Sequence, residues 1–217
     1  MTASRAVLFD LDGTLADTAP DLAGALNRLR AGQGLPALAL ERVRPFASAG
    51  ARGLVHIGFG VKPGDAEYDA LRAAFLEAYR EHTCVETRLF PGIAELLEEL
   101  ARRSVAWGIV TNKATRFTER IVAALGLSPA CMVCGDTTDH LKPHPAPMLH
   151  ALAQLGLPGK ACFYLGDDLR DMQAAHAAGM RAVAAGWGYH HPEAGGPQTW
   201  KADAVIAQPS ELVALLQ

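Results

Sequence analysis

The chain has 217 residues, half of them hydrophobic, and a formal net charge of −3 at pH 7. This length fits one large domain, or a core with a smaller inserted one. The slightly acidic balance offers no basic field for nucleic acid, and no apolar run approaches the ~20 residues needed to cross a bilayer. We therefore expect a globular protein that binds neither nucleic acid nor membrane.

The cysteines and the amino terminus indicate the cellular compartment. Four cysteines are sparse and irregularly spaced, which argues against a disulfide framework. The first predicted strand follows the amino terminus so closely that no room remains for a signal peptide. We expect a cytoplasmic protein. Cys131 and Cys134 have the spacing of a redox or metal pair, but no second pair exists and both fall in a predicted buried strand, so we interpret them as structural.

The first predicted element is a strand over residues 6–9, an uninterrupted apolar run typical of a strand buried on both faces. Asp10 and Asp12 follow where the strand stops. Alternate residues of an extended chain share a side, so both carboxylates can meet one substrate or cation. Gly13 permits a sharp exit. Two such charges are costly without a metal or a proton, which favours a functional site over a turn with a helix-capping Asp.

The next part of the chain shows no strand pattern. Apolar residues recur at helical spacing in four segments, residues 22–29, 38–46, 52–58 and 68–79. A turn rich in small residues, residues 48–53, precedes the third helix. We interpret residues 17–86 as an all-helical insertion into a core formed by residues 1–16 and 87–217.

From Pro91 onward, predicted helices and strands alternate. The helices cover residues 93–100, 117–125 and 145–155, and the strands are centred on residues 105–110, 131–134, 161–165, 183 and 205. This alternation predicts an α/β fold with a doubly wound parallel sheet, which binds ligands beyond the carboxyl ends of its strands. Asp10, Thr111 and Asp167 each occupy such an end.

The polar residues at these strand ends suit phosphoryl transfer. The set comprises Asp10, Asp12, Thr111, Asn112, Lys142, Asp167 and Asp168. It contains a nucleophile, a second carboxylate for proton transfer, hydroxyl and amide donors, and an ammonium. An oxygen-rich acidic cluster prefers a hard cation such as Mg²⁺. Lys142 and the metal would stabilise charge on the transferring group.

Four ordered motifs resemble those of the haloacid dehalogenase-like hydrolases. They are residues 10–14 (Asp-Leu-Asp-Gly-Thr), 110–112 (Val-Thr-Asn), 142–143 (Lys-Pro) and 166–171 (Gly-Asp-Asp-Leu-Arg-Asp). The resemblance implies a Rossmann-like core with the helical insertion as a small cap that closes over the site. It also implies that Asp10 attacks phosphorus to form an aspartyl-phosphate. Asp12 is then the general acid/base, and its backbone carbonyl reaches the metal.

The same resemblance assigns the remaining site residues. Thr111 binds phosphate, Asn112 also contacts the substrate, and Lys142 neutralises the nucleophile and the phosphate. Asp10 and Asp167 ligate Mg²⁺ together with the Asp12 carbonyl. Asp168 and Asp171 act through metal-bound waters or support the ligands. Both can instead be caps of the following helix, just as Thr111 and Asn112 can cap theirs and Lys142 alone can be a surface lysine.

A closer resemblance narrows the substrate. The chain resembles the phosphoglycolate phosphatase group, and four stretches resemble bacterial phosphatases that act on N-acetylmuramic acid 6-phosphate in peptidoglycan recycling. These stretches are residues 48–52, 107–113, 166–171 and 188–192. We expect that substrate, with Ser48 and Arg52 among its contacts; phosphoglycolate or another small sugar phosphate is the alternative. The expected oligomeric state is a monomer or a weak homodimer.

Three other functions share parts of this pattern. A dehalogenase of the same fold needs neither Asp12 as an acid/base nor a magnesium site at Asp167. A non-catalytic phosphate-binding or regulatory protein is expected to lose at least one motif residue, and none is lost here. A phosphomutase shares the core chemistry and stays open as an alternative.

Overall fold

The structure is a computed structural model that describes residues 5–216. Its strands are β1 (Ala6–Phe9), β2 (Ala16–Asp17), β3 (Arg88–Leu89), β4 (Ala106–Val110), β5 (Met132–Val133), β6 (Cys162–Gly166), β7 (Arg181–Ala185) and β8 (Ala204–Ile206). Its helices are α1 (Ala19–Gly32), α2 (Leu40–Val43), α3 (Gly50–Phe59), α4 (Tyr68–Glu81), α5 (Ile93–Arg102), α6 (Thr115–Ala124), α7 (Ala146–Leu155), α8 (Leu169–Ala177) and α9 (Leu212–Leu215). Short 3-10 helices occupy Arg44–Ala49, Gly159–Ala161, Pro192–Ala194, Pro197–Thr199 and Pro209–Glu211. The signal-peptide prediction and the outer limits of the predicted core concern residues 1–4 and 217, which lie outside the described residues.

Six strands form one parallel sheet in the order β5-β4-β1-β6-β7-β8. Helices α7 and α8 pack on one face of the sheet, and α5, α6 and α9 pack on the other. Strand β1 is buried on both sides, which explains its continuous apolar sequence. The predicted doubly wound parallel fold is confirmed.

The register of the three central strands positions the site. Phe9 of β1 lies opposite Ile109 of β4 and Leu165 of β6. The carboxyl ends of these strands are therefore nearly level. The residues that follow them emerge together at one edge of the sheet, as expected for a ligand site in this class of fold.

The chain between β2 and β3 contains helices joined by loops and no strand, and it has its own apolar core. Leu26 of α1, Leu54 of α3, and Phe75 and Tyr79 of α4 are buried in that core. Strand β2 directly precedes this helical segment and β3 follows it, and the two strands pair as a short antiparallel ribbon. This ribbon was not predicted, because two residues are too few to show a period. The domain limits at residues 16/17 and 86/87 stay a prediction.

The second and third predicted helices differ from the structure in extent. The segment predicted as a helix over residues 38–46 is a short α2 followed by the 3-10 helix Arg44–Ala49. Pro45 lies in the first turn of that 3-10 helix and has no backbone N–H to continue an α-helical ladder. The turn predicted over residues 48–53 is much shorter in the structure. The 3-10 helix ends at Ala49 and α3 begins at Gly50, whose φ of +61° changes the chain direction between them. No helix in the described part of the chain is long and apolar enough to cross a bilayer.

A buried carboxylate ties α1 to the segment that leads from the helical block back to the core. Asp21 accepts hydrogen bonds from the backbone N–H groups of Val85, Glu86 and Thr87 at 2.9–3.0 Å, and from the Thr87 hydroxyl at 2.6 Å. Asp21→Ala leaves these donors without their acceptor, so we expect a loss of about 3 kcal/mol in the free energy of unfolding. Denaturant titration measures this loss. A loss below about 1 kcal/mol, within the range of ordinary substitutions, would contradict it.

Candidate active site

Three carboxylates meet at the carboxyl edge of the central strands. Asp10 follows β1, Asp167 follows β6, and Asp171 lies in the first turn of α8. One oxygen of each lies within 4.8 Å of the others, and all three side chains are buried. The register of β1 and β6 brings Asp10 and Asp167 to the same edge of the sheet. A capping box supplies the third: Asp168 caps α8, and Asp171 reaches back to the backbone N–H of Asp168 at 3.1 Å.

A buried lysine joins this cluster from a loop. Lys142 Nζ lies 3.0 Å from Asp10 Oδ1 and 2.7 Å from Asp171 Oδ1. It also donates to the Tyr164 hydroxyl at 2.8 Å. Burial lowers the pKa of Lys142, but Asp10 and Asp171 outweigh that effect and raise it above its ordinary value. The ammonium is therefore held in its charged form.

Asp167 is fixed by contacts on three sides. It accepts hydrogen bonds from the Thr14 hydroxyl at 3.1 Å, the Tyr189 backbone N–H at 2.9 Å and the Ser48 hydroxyl at 3.1 Å. Gly13 lets the backbone pass beside this carboxylate: a Cβ there would lie 2.1 Å from Asp167 Oδ2, and φ is +82°. Any side chain at position 13 would therefore displace Asp167.

The charges of the cluster fit a divalent cation. When all three carboxylates are ionised, the one ammonium leaves two negative charges uncompensated. Burial and the repulsion from Asp10 raise the pKa of Asp167 well above its ordinary value, and burial raises the pKa of Asp171 to about 7. An all-oxygen set in which ionisation is this costly suits a hard metal ion.

Asp12 is held apart from the three carboxylates. Lys113 Nζ donates to both of its oxygens, at 2.9 and 3.0 Å, and the Thr18 hydroxyl donates to Oδ1. The Lys113 ammonium also lies 5.0 Å from the centroid of the Tyr79 ring. Asp12 thus stands beside the cluster with a fixed carboxylate, as a proton-transfer group needs.

A cavity of about 610 Å³ opens between the sheet edge and the helical block. Its walls include Asp10, Asp12, Ser48, Arg52, Thr111, Asn112, Lys142, Asp168 and Asp171. The structure therefore brings together every predicted site residue except Asp167, which is fully buried beside them. A larger surface depression, of about 870 Å³, lies between α5 and the carboxyl-terminal segment, away from these residues.

Several predicted residues have contacts different from those expected. The side-chain amide of Asn112 is engaged with the backbone of Lys142, donating at 3.0 Å and accepting at 2.9 Å. It positions the lysine loop here, and its contact with substrate stays a prediction. Asp168 caps α8 and binds Arg170 at 2.8 Å, which agrees with the capping alternative. Ser48 bonds Asp167, so its hydroxyl contacts the acid cluster directly.

Asp171 lies closer to the other carboxylates than its predicted role requires. Its carboxylate belongs to the cluster and pairs with Lys142, and its role, through metal-bound waters or in support of the ligands, stays a prediction. The capping box turns this side chain back towards the strand ends, a geometry that depends on the helix start. Thr111 is buried at the cavity wall, and its hydroxyl accepts from the Lys113 backbone N–H at 3.2 Å.

Sequence reasoning missed three residues of the site. Lys113 pairs with Asp12, Tyr164 contacts Lys142, and Arg170 pairs with Asp168 and donates to the Ser48 carbonyl at 2.8 Å. Lys113 directly follows the motif at residues 110–112, and Arg170 lies within the motif at residues 166–171, which was a usable signal. Tyr164 lies within an apolar strand, where the sequence carries no sign that its hydroxyl is needed.

Comparison with known proteins decides the family. The model of the family described as "Haloacid dehalogenase-like hydrolase" matches residues 7–185, which include all four motifs. The chain belongs to the haloacid dehalogenase-like hydrolases. The predicted family, its fold and its motifs are confirmed.

Relatives of this hydrolase include proteins that are named as phosphatases. It is 42% identical over 98% of its length to an N-acetylmuramic acid 6-phosphate phosphatase of Pseudomonas aeruginosa, covering 94% of that protein. It is 41% identical over 96% of its length to a phosphoglycolate phosphatase of Xanthomonas campestris, again covering 94%. A crystal structure described as a predicted phosphoglycolate phosphatase from Haemophilus somnus superimposes with a TM-score of 0.85 at 28% identity, covering 100% of this chain and 99% of that one.

These matches make the hydrolase a phosphoric monoester hydrolase, as predicted. A purely phosphate-binding role is therefore set aside.

The cysteine pair, Cys131 and Cys134, does not belong to the site described above. Cys131 and Cys134 are buried and unbridged, and burial raises the pKa of the Cys131 thiol to about 11. Such a thiol is almost wholly protonated at neutral pH, which makes it a weak nucleophile.

Proposed function

We propose that this hydrolase is a Mg²⁺-dependent phosphomonoesterase that forms an aspartyl-phosphate on Asp10. The observation that carries the proposal is the buried cluster of Asp10, Asp167 and Asp171 around Lys142, with Asp12 held beside it. Asp10 lines the cavity, so its carboxylate can meet the phosphorus of a bound ester. Lys142 offsets negative charge on the nucleophile and on the incoming phosphoryl group.

The metal site is part of this proposal. Asp10, Asp167 and the backbone carbonyl of Asp12 would hold Mg²⁺, with the Asp171 carboxylate in the same cluster. The bound ion would offset charge on the transferring group and orient it. Because these ligands are all oxygen atoms, Mg²⁺ is the ion we propose.

Two displacements complete the reaction. In the first, an Asp10 oxygen bonds phosphorus, the bond to the leaving oxygen breaks, and Asp12 donates a proton to that oxygen. In the second, Asp12 takes a proton from water as the water oxygen attacks phosphorus. The bond between Asp10 and phosphorus then breaks, inorganic phosphate leaves, and Asp10 returns to its carboxylate form.

We further propose N-acetylmuramic acid 6-phosphate, an intermediate of peptidoglycan recycling, as the substrate. The cavity of about 610 Å³ equals roughly twenty water volumes at about 30 Å³ each. A substituted hexose uses such a space, whereas two-carbon glycolate leaves most of it empty. The relative from P. aeruginosa favours the same substrate. Phosphoglycolate is the second candidate, because the X. campestris relative carries that name.

The helical block contributes the leaving-group contacts in this proposal. Residues 17–86 form the cap, and residues 1–16 and 87–217 form the catalytic core. Arg52 of α3 lines the cavity and is exposed, so it can meet the carboxylate of a sugar acid. Thr111 and Lys142 hold the phosphoryl group. We also propose a cytoplasmic location and a monomer or weak homodimer.

Removal of divalent metal tests the proposed cofactor. Treatment with a chelator should abolish phosphate release from N-acetylmuramic acid 6-phosphate, phosphoglycolate, hexose phosphates and p-nitrophenyl phosphate. Mg²⁺ should restore it, because the buried carboxylates otherwise repel the phosphate dianion. The assay is phosphate release against Mg²⁺ concentration. Full activity after exhaustive chelation would contradict the proposed metal site. A preference for phosphoglycolate over N-acetylmuramic acid 6-phosphate would overturn the proposed substrate but leave the phosphatase proposal intact.

A further inference from the structure

The charged residues of the cavity divide into two sets. Lys113, Lys142 and Arg170 each form an ion pair with a carboxylate that lines the same cavity. Arg52, Arg72 and Arg116 also line it. None of these three has an ion-pair partner within 4.0 Å among the described residues. The four lining carboxylates, Asp10, Asp12, Asp168 and Asp171, are all engaged by the first set.

The second set lies at the solvent side of the cavity. Arg52, Arg72 and Arg116 are exposed, whereas Lys142 and its carboxylate partners are buried. The three arginines come from separate elements: α3, α4 and α6. The Arg116 guanidinium is packed over the Phe117 ring at 4.7 Å, which restrains it. We call these three residues the arginine rim.

A chain with a net charge of −3 has no general excess of cations to account for this grouping. Long-range repulsion also disfavours three like charges at one opening, unless an anion is bound there. In the proposed function, the phosphoryl group is already bound by Thr111, by Lys142 and by the metal that the carboxylates would hold. A second anion, on the leaving group, is therefore the natural counter-charge for the arginine rim.

We propose that Arg72 and Arg116 determine specificity, together with Arg52, by binding a carboxylate or second anionic group on the leaving part of the substrate. A guanidinium can bind a carboxylate through two parallel hydrogen bonds, which adds direction to the charge attraction. Arg72 belongs to the cap and Arg116 to the core. An anion held between them also favours the closed arrangement of cap and core. This inference rests on the proposed phosphatase function and names the class of ester that it prefers.

Matched substrates and variants test the arginine rim. N-acetylmuramic acid 6-phosphate differs from N-acetylglucosamine 6-phosphate by a lactyl ether group that carries a carboxylate. Phosphoglycolate has a carboxylate where ethyl phosphate has a methyl group. The readout is the ratio of kcat/KM within each pair. In Arg72→Gln/Arg116→Gln, we expect the ratio for at least one pair to fall about tenfold, as two exposed ion pairs would give. The wild-type preference for the anionic ester should also weaken as salt is added.

The control variant is Arg42→Gln/Lys160→Gln. It removes one cation from the helical block and one from the core, at exposed positions outside the cavity. Its ratios should stay within about twofold of wild type, since distant exposed charges are screened. The inference is wrong if the double rim variant keeps the wild-type ratio of kcat/KM in both substrate pairs. This includes the case in which kcat/KM falls by the same factor for both substrates of each pair. If the wild type hydrolyses no phosphate ester, the proposed function itself fails, which is a distinct result.

Discussion

Asp10→Asn should reduce the turnover of every phosphate ester to background while the protein stays folded. The amide is nearly isosteric with the carboxylate but cannot attack phosphorus, so the covalent step is lost. Lys142 keeps its 2.7 Å contact with Asp171, which preserves one of its two ion pairs. Phosphate release measures the activity, and a thermal unfolding scan verifies the fold.

The matched control for this variant is Asp139→Asn, an exposed aspartate outside the cavity. It should retain wild-type turnover, because it makes the same chemical change away from the cluster. A tenth of wild-type activity in Asp10→Asn, purified free of wild-type protein, would refute the covalent mechanism.

Asp12→Asn should separate substrates by their leaving groups. An alkoxide needs a proton as it departs, whereas p-nitrophenolate does not. We therefore expect kcat/KM to fall roughly a thousandfold for N-acetylmuramic acid 6-phosphate, within the range of general acid catalysis, and much less for p-nitrophenyl phosphate. Because kcat/KM includes steps only up to the first irreversible one, the comparison isolates formation of the aspartyl-phosphate.

A structural defect would give a different result. Asp12 is held by Lys113 and Thr18, so its replacement also leaves a buried ammonium without its partner. Loss of that ion pair lowers stability and affects both substrates alike. Equal losses in kcat/KM for the two esters would therefore contradict the proton-transfer role. A thermal unfolding scan of the variant reports the stability change separately.

The sequence was sufficient to predict the sheet and the position of the site. Asp10, Thr111 and Asp167 each end an apolar run, and a parallel sheet places such ends at one edge. The predictions for β1, β4 and β6 depend on uninterrupted apolar runs, which a sequence displays directly; β1 and β6 are buried throughout, and β4 is buried over its last three residues. The helical character of the inserted block was equally clear from its spacing of apolar residues.

Contacts between distant parts of the chain could not be predicted in the same way. Ser48 donates to Asp167 across 119 positions, and Lys113 reaches Asp12 across 101. Neither contact follows from periodicity or local propensity. The place of Asp171 depends on a capping box, in which its side chain turns back to the backbone N–H of Asp168. Such geometry is set by the start of α8.

The covalent mechanism is tested most directly by trapping the phosphorylated enzyme. Asp12→Asn is mixed with p-nitrophenyl phosphate and Mg²⁺, quenched rapidly in acid, and digested for mass spectrometry. Without Asp12 to activate water, the covalent intermediate should accumulate, so we expect about one phosphoryl group per chain, located on Asp10. Release of p-nitrophenol with no phosphoryl group on the protein, or with the group on another residue, would contradict it.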